Sequence, residues 1–168
     1  DSNLGIGAYE WIEGEKVSNF GKKEIKDATS FLSTLHQNSK MKQFENFPMA
    51  ADACPRGIDI ELQIERRLHQ FDELSTKYSE LDQFLINDFK PISKEIISWS
   101  KTSWPSNPGY KVSIEKNKLI LSPSDFGFHN SLRSQNENLI FHDFEYFGWD
   151  DPVKLICDFS HHAAMDLS

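Results

Sequence analysis

Apolar positions along this chain keep a helical period through its first hundred residues and then shift to a strand-like one. Between residues 22 and 38, Ile25, Ala28, Leu32 and Leu35 recur at spacings of three and four, which places them on one helix face. A second helical stretch is expected from Asp59, a residue suited to capping, with Ile64, Leu68 and Phe71 on its buried face. A third pattern runs through Tyr78, Leu81, Leu85, Phe89, Ile92, Ile96 and Trp99, and Pro91 inside it must kink or divide the helix. The Phe and Trp residues on these faces are expected in the core. Residues 39–57, with Pro48, Pro55 and Gly57, form a long loop of the kind that is functional or disordered in compact domains. Ahead of the helices, residues 7–12 (Gly-Ala-Tyr-Glu-Trp-Ile) predict a short strand that ends at 13–15.

Beyond Tyr110 the texture changes. Residues 111–114 and 118–121 predict one hairpin, and 131–133 with 138–142 predict a second. A final helix is expected from Pro152, which suits a first helical turn. The fold class is therefore α+β, helices first and small hairpins after, with no internal repeat and no low-complexity segment.

Composition narrows the class. With 168 residues the chain permits one packed unit, and 13 Phe, 4 Trp and 4 Tyr are too many for a disordered chain. The net charge of −8 argues against a nucleic-acid partner, whose phosphates call for clustered Lys and Arg. No apolar run approaches the roughly 18 residues of a membrane span, so no membrane partner is expected. Cys54 and Cys157 fit neither a disulfide framework nor a metal knuckle, and a cytoplasmic, reducing setting is the default expectation. The chain starts at Asp1 rather than Met and stops at Ser168 in helix-like sequence, so it is expected to be part of a larger protein.

Candidate chemistry collects where the predicted hairpins begin and end. Ser124-Asp125-Phe126-Gly127-Phe128-His129-Asn130 sets an aspartate five residues before an asparagine in a loop between strands. Thirteen residues after Asn130, the apolar run Leu139-Ile140-Phe141 has passed into His142-Asp143-Phe144-Glu145. An aspartate and asparagine facing a second aspartate supply hard oxygen ligands of the kind Mg²⁺ takes beside phosphate. The remaining aspartate can accept the proton of an attacking hydroxyl.

Asp125 with Asn130, followed by Asp143-Phe144-Glu145 and Trp149-Asp150-Asp151-Pro152, resembles the aminoglycoside phosphotransferase and choline kinase family. That resemblance implies a protein-kinase-like C-terminal lobe. Residues 1–15 would be the end of an N-lobe strand and its hinge, and 16–168 the helical C-lobe. Within that lobe 121–133 would be the catalytic loop and 139–152 the metal-binding segment. The N-terminal lobe would be absent from the chain. By position, Asp125 would be the catalytic base, and Asn130 and Asp143 the Mg²⁺ ligands. Tyr9, Trp11 and Ile12 would belong to the hinge strand that meets the adenine of ATP. The implied activity is ATP-dependent phosphorylation of a hydroxyl on an aminoglycoside-, choline- or sugar-like small molecule, cationic acceptors included.

The sequence departs from the family at three places. The family's His-Gly before the catalytic Asp is Pro123-Ser124, so the histidine contact that usually braces the loop is missing. The acid common three residues after Asp-Pro is Leu155, with Asp158 nearest. No Gly-rich loop or strand lysine is present.

Plainer readings stand beside these. Asp125 suits a turn, Asn130 a loop-capping amide, Glu145 a solvated carboxylate, and Asp150 and Asp151 an acidic helix start. Trp149, after Gly148, is a candidate for lining a substrate pocket. A zinc site on His142, His161 and His162 is disfavoured, because neighbouring histidines on a helix point apart. The rival functions are a catalytically silent kinase-like module that binds nucleotide or protein, and a metal-dependent phosphohydrolase.

Overall fold

A computed structural model describes residues 10–106 and 109–165. Helices and small antiparallel sheets are mixed in it, in an α+β arrangement. Among the described residues no helix is long and apolar enough to cross a membrane.

Helix α1 spans Lys22–Asn38, as the periodicity predicts, and Ala28 on its inner face is buried. Its start is closed by Glu24, whose carboxylate accepts the Gly21 N–H at 2.8 Å in the manner of a capping box. Helix α2 runs Gly57–Ser75. Asp59 is its third residue rather than its cap, and its carboxylate reaches back to accept the Arg56 N–H at 2.8 Å. The sequence pattern mistook the inward-turned half of a capping box for the cap itself.

The third helical pattern divides where Pro91 requires, and in an informative way. Helix α3 (Ser79–Phe84) passes into a π-helical turn, Leu85–Phe89, and then into α4, Lys90–Ser103. Pro91 has no N–H to offer the carbonyl one turn back, and the wider turn opens the ladder just ahead of it. A π turn inserts one residue, which rotates everything after it by about 100°. Leu85 is buried before the turn, but the inward stripe after it is Lys90, Ser93, Ile97 and Ser100. Phe89, Ile92, Ile96 and Trp99 are carried to the outside, Trp99 being 66% exposed. The expectation that these apolar residues are core is corrected for that reason, and Phe71 on α2 is exposed as well.

Among the described residues, five short strands make two sheets. Strands β1 (Glu15–Lys16), β3 (Ser131–Arg133) and β4 (Leu139–Phe141) form one, in the order β1-β3-β4. Strands β2 (Ile120–Ser122) and β5 (Gly148–Asp150) form the other, with Leu121 opposite Trp149. The hairpin of β3 and β4 matches expectation. The one predicted between 111–114 and 118–121 does not form: 111–114 is irregular, Lys116–Lys118 is a 3₁₀ turn, and β2 pairs instead with β5. Period-2 patterning marks a strand but not its partner. The strand expected at 7–12 is absent over its described part, residues 10–12, and pairing begins at Glu15. Helix α5, Pro152–His161, starts where Pro152 predicts, with Asp151 as its cap accepting the Val153 N–H at 2.7 Å.

The main core joins α1, the 126–128 segment and α5 through Ala28, Phe126, Phe128 and Leu155, with Phe31 and Phe159 packed against them. A second cluster, Leu119, Leu121 and Trp149, lies under the 39–56 loop.

Glu24 ties the start of α1 to β3, because it also accepts from Arg133 Nη2 at 2.9 Å. The Gly21 N–H, and then Arg133, hold its carboxyl down from 4.5 to about 2. A depressed acid stabilises the fold in full above its unfolded value, and that contribution is lost as pH falls through 4.5 towards 2. Glu24→Gln is therefore expected to flatten the loss of stability over that acid range, measured as urea midpoints at stepped pH. An unchanged acid limb would contradict the role given to Glu24.

Candidate functional site around Asp125

The segment that carries Asp125 is pinned from below. Phe126 and Phe128 are buried, and Phe126 packs on Phe31 and Phe159 at ring distances of 5.6 and 5.4 Å. Burial of these two rings sets Asp125 and His129 at the edge of the core, both half-buried. Ser124, just before, adopts a left-handed backbone at φ 68°, and its N–H donates to the fully buried Ser122 Oγ at 3.0 Å. A non-glycine residue in that region stores strain, and here it bends the chain sharply out of β2 so that Asp125 leaves the strand line.

Asn130 meets Asp125 directly. Its Nδ2 donates to the Asp125 carbonyl at 2.9 Å and to Oδ2 at 3.1 Å. With the amide nitrogen committed, the carbonyl oxygen is the Asn130 atom that can ligate a cation. The Asn130 backbone carbonyl accepts the His142 N–H at 3.1 Å, which draws the end of β4 alongside. Asp143 is the next residue, exposed and also left-handed at φ 65°. Glu145 follows, exposed too. An amide oxygen and carboxylates lie on two neighbouring loop ends, and these are donor types of the kind Mg²⁺ takes. Of the expected hinge residues, Tyr9 lies outside the described residues, Trp11 is 85% exposed and Ile12 is half-buried.

Two histidines also converge on Asp125. His129 Nε2 lies 3.1 Å from Oδ1, and His162 Nε2, from just past the end of α5, lies 3.4 Å from the same oxygen. Their rings stack with centroids 4.2 Å apart and planes at 5°. The three ligand atoms are near enough together to suggest a metal centre. A metal bonded to both Nε2 atoms would have to lie in both ring planes, however, and stacked parallel rings share no such point. His129 is hydrogen-bonded to Asp125, and His162 is stacked on His129 beside it.

Asp125 and His162 open onto a cleft of about 760 Å³ between the 39–56 loop, α2 and α5. Its other charged residues are largely paired with one another. Asp52 binds Arg66 at 2.7 Å and Arg67 at 3.3 Å, and Arg66 first among them holds its carboxyl below the usual range. Lys154 pairs with Asp158. Asn130 and Asp143 do not line this cleft, so Asp125 is the residue common to the cleft and to the oxygen-donor group.

Asp150 holds the back of the cleft together. Its carboxylate is wholly buried, and Oδ1 accepts the Cys54 N–H at 2.9 Å and the Asp151 N–H at 2.7 Å, with Lys154 Nζ 3.5 Å from Oδ2. Burial pushes its carboxyl up, against the pull of those N–H groups and of Lys154. Burial likewise pushes the Cys54 thiol up to about 12, so it is an inert packing group. Trp149 is buried and donates its indole N–H to the Phe44 carbonyl at 3.2 Å, which corrects its placement in a substrate pocket. Gly148 is required by space: a Cβ there would sit 2.3 Å from the Ala50 nitrogen.

Sequence reasoning placed Asp125, Asn130 and Asp143 but passed over His129, although its spacing of four from Asp125 was visible. His162 carried no local signal, since its partner lies 37 residues away in the chain. Compared with protein-family models, with curated proteins and with solved structures, the chain matches none.

Replacing Asp150 should loosen the cleft wall. Asp150→Ala leaves two buried N–H groups and Lys154 without their acceptor, and a loss of about 3 kcal/mol is expected in urea unfolding. Asp150→Asn, which keeps an acceptor for the N–H groups, should lose clearly less. Equal losses would show that Asp150 acts by packing alone.

Proposed function

We propose that the chain is the C-terminal lobe of an ATP-dependent, small-molecule phosphotransferase of the aminoglycoside phosphotransferase and choline kinase type. The observation that carries this reading is the position of Asp125. It is held by Asn130, it lies beside the loop that presents Asp143, and it opens on the other side to a cleft of small-molecule size. The acceptor would enter that cleft with a hydroxyl directed at Asp125, which orients the nucleophile and takes its proton. Asn130 and Asp143 would hold Mg²⁺, which when bound neutralises charge on the nucleotide phosphates. Trp11 and Ile12, with Tyr9, would supply the hinge to the adenine. Most of the acceleration would come from positioning and charge neutralisation. A cationic acceptor such as an amino alcohol suits the cleft's one carboxylate without an Arg or Lys partner, Asp125, and the acidic balance of the chain would steer it there.

A second reading, a silent nucleotide-binding module, is favoured by one observation: the Asp125 carboxylate is already hydrogen-bonded to two side chains of its own chain, His129 and Asn130. Catalysis distinguishes the two. Asp125→Ala in the full-length protein is expected to lower turnover by roughly 10²–10⁴-fold while ATP still binds. A loss under tenfold would remove Asp125 from the base role, and ATP binding with no turnover in the unmodified protein would favour the silent module.

The metal assignment has its own test. Calorimetric binding of ATP should require Mg²⁺ and should be lost in Asp143→Ala. Unchanged Mg²⁺-dependent binding in that variant would place the metal elsewhere.

A further inference from the structure

We propose that His162 is an acceptor-binding residue. Its Nε2–H, set beside the Asp125 carboxylate, takes an oxygen on the carbon next to the reacting hydroxyl, so the acceptor is a vicinal diol of the sugar-like kind. This names the substrate class of the phosphotransferase reading above and rests on it.

Hydrogen bonding fixes the proton on His162. The Ala164 N–H donates to Nδ1 at 3.1 Å, so Nδ1 is the acceptor and the ring proton sits on Nε2. That proton is not spent on Asp125. His129 Nε2 already bonds Oδ1 at 3.1 Å, and the two rings lie parallel, with planes at 5° and centroids 4.2 Å apart. Parallel stacked rings cannot both aim at one oxygen. His162 Nε2 therefore lies beside Oδ1, 3.4 Å away, and has no hydrogen-bond partner among the described residues.

The donor is held in place before anything binds. The ring is half-buried, rests on His129, and lines the cleft together with Asp125. The His162 carbonyl accepts the Met165 N–H at 2.8 Å, and the buried Met165 Sδ accepts the Phe128 N–H at 3.2 Å. The chain past α5 is thus fastened to the loop that carries Asp125. A donor fixed in advance loses little freedom when a ligand takes it.

Side by side, an unspent N–H and a carboxylate oxygen make a donor–acceptor pair 3.4 Å wide. Gauche hydroxyls on adjacent carbons stand close enough to meet both: the reacting one donates to Asp125, and its neighbour accepts from His162. An ammonium in the neighbour's place has protons and no lone pair, so it meets the His162 N–H donor to donor. Among cationic acceptors suited to Asp125, the pair selects those whose amino groups lie away from the reacting diol, and it selects against a two-carbon amino alcohol. The other carboxylates of the cleft do not compete, since Asp52 is engaged by Arg66 and Arg67, and Asp158 by Lys154.

The test uses the full-length protein with ATP, Mg²⁺ and two sets of acceptors. Glucose, myo-inositol and kanamycin carry adjacent hydroxyls; choline and ethanolamine do not. Turnover is expected with at least one of the first set and with neither of the second. For the acceptor turned over, His162→Ala should raise KM about tenfold, the effect of losing one hydrogen bond, with KM for ATP within about twofold. His162→Gln, whose amide N–H can reach the place of Nε2–H, should recover most of that loss. Preference for choline or ethanolamine, an unchanged acceptor KM in His162→Ala, or no recovery in His162→Gln overturns the proposal. Turnover with none of them counts against the phosphotransferase reading instead, and long-range ¹H–¹⁵N spectra then decide the donor alone. A proton on Nδ1 of His162, or an Nε2 signal that none of the three polyols moves, overturns it.

Discussion

A carboxylate that is entirely buried makes the cleft possible. Asp150 sits at the end of β5, where one oxygen receives N–H groups from the 39–56 loop and from the start of α5, and the other faces Lys154. A buried carboxylate must take what partners it can, so the two N–H bonds to Oδ1 and the ion pair of Oδ2 with Lys154 tie three pieces of chain into one arrangement. The loop's wall over the cleft, the direction of α5 and the seat of Trp149 follow from it. So does the delivery of His162 to Asp125, because the course of α5 decides where the chain beyond it emerges. A residue with no place in the proposed chemistry thus governs the geometry of those that have one.

The balance of that contact is not simply favourable. Burial raises the Asp150 carboxyl while its partners oppose the rise, so charge there carries a cost that a neutral side chain would avoid. What the ion supplies is direction. A hydrophobic residue could fill the volume, but it would leave the Cys54 and Asp151 N–H groups unbonded and would not fix the loop to the helix start. Gly148, two residues before Asp150, adds a steric condition of the same kind, since the backbone of Met49 and Ala50 occupies the space of its missing side chain.

What could be read along the chain and what could not divides by range. Helix α1, the β3–β4 hairpin and the start of α5 depend on local period, turn residues and a well-placed proline, and all were legible in the sequence. The pairing of β2 with β5 was not, because a three-residue strand says nothing about which distant strand it meets. Residues 78–99 erred through one inserted residue: the apolar stripe is real, but the π turn rotates its second half outward, and Pro91 announced a break without its angle. In the site, Asp125, Asn130 and Asp143 stood out by spacing. Asp150 resembled an ordinary acid before a helix, and His162 a bystander. Their roles arise from contacts 96 and 37 residues apart in sequence, where no local pattern exists.

Asp125 is already held by His129 and Asn130 where a substrate would have to meet it. For proton abstraction from carbon that would be a serious handicap. Phosphoryl transfer asks less of its base: in a loose transition state the attacking hydroxyl keeps its proton until late, and the aspartate serves mainly to hold the oxygen in line. Position then outweighs basicity. An aspartate fixed by an imidazole and an amide is well suited to aim a hydroxyl. The same crowding that favours a silent module is, for this reaction, compatible with an active one. What separates them is whether an acceptor hydroxyl can reach the Asp125 carboxylate beside those contacts.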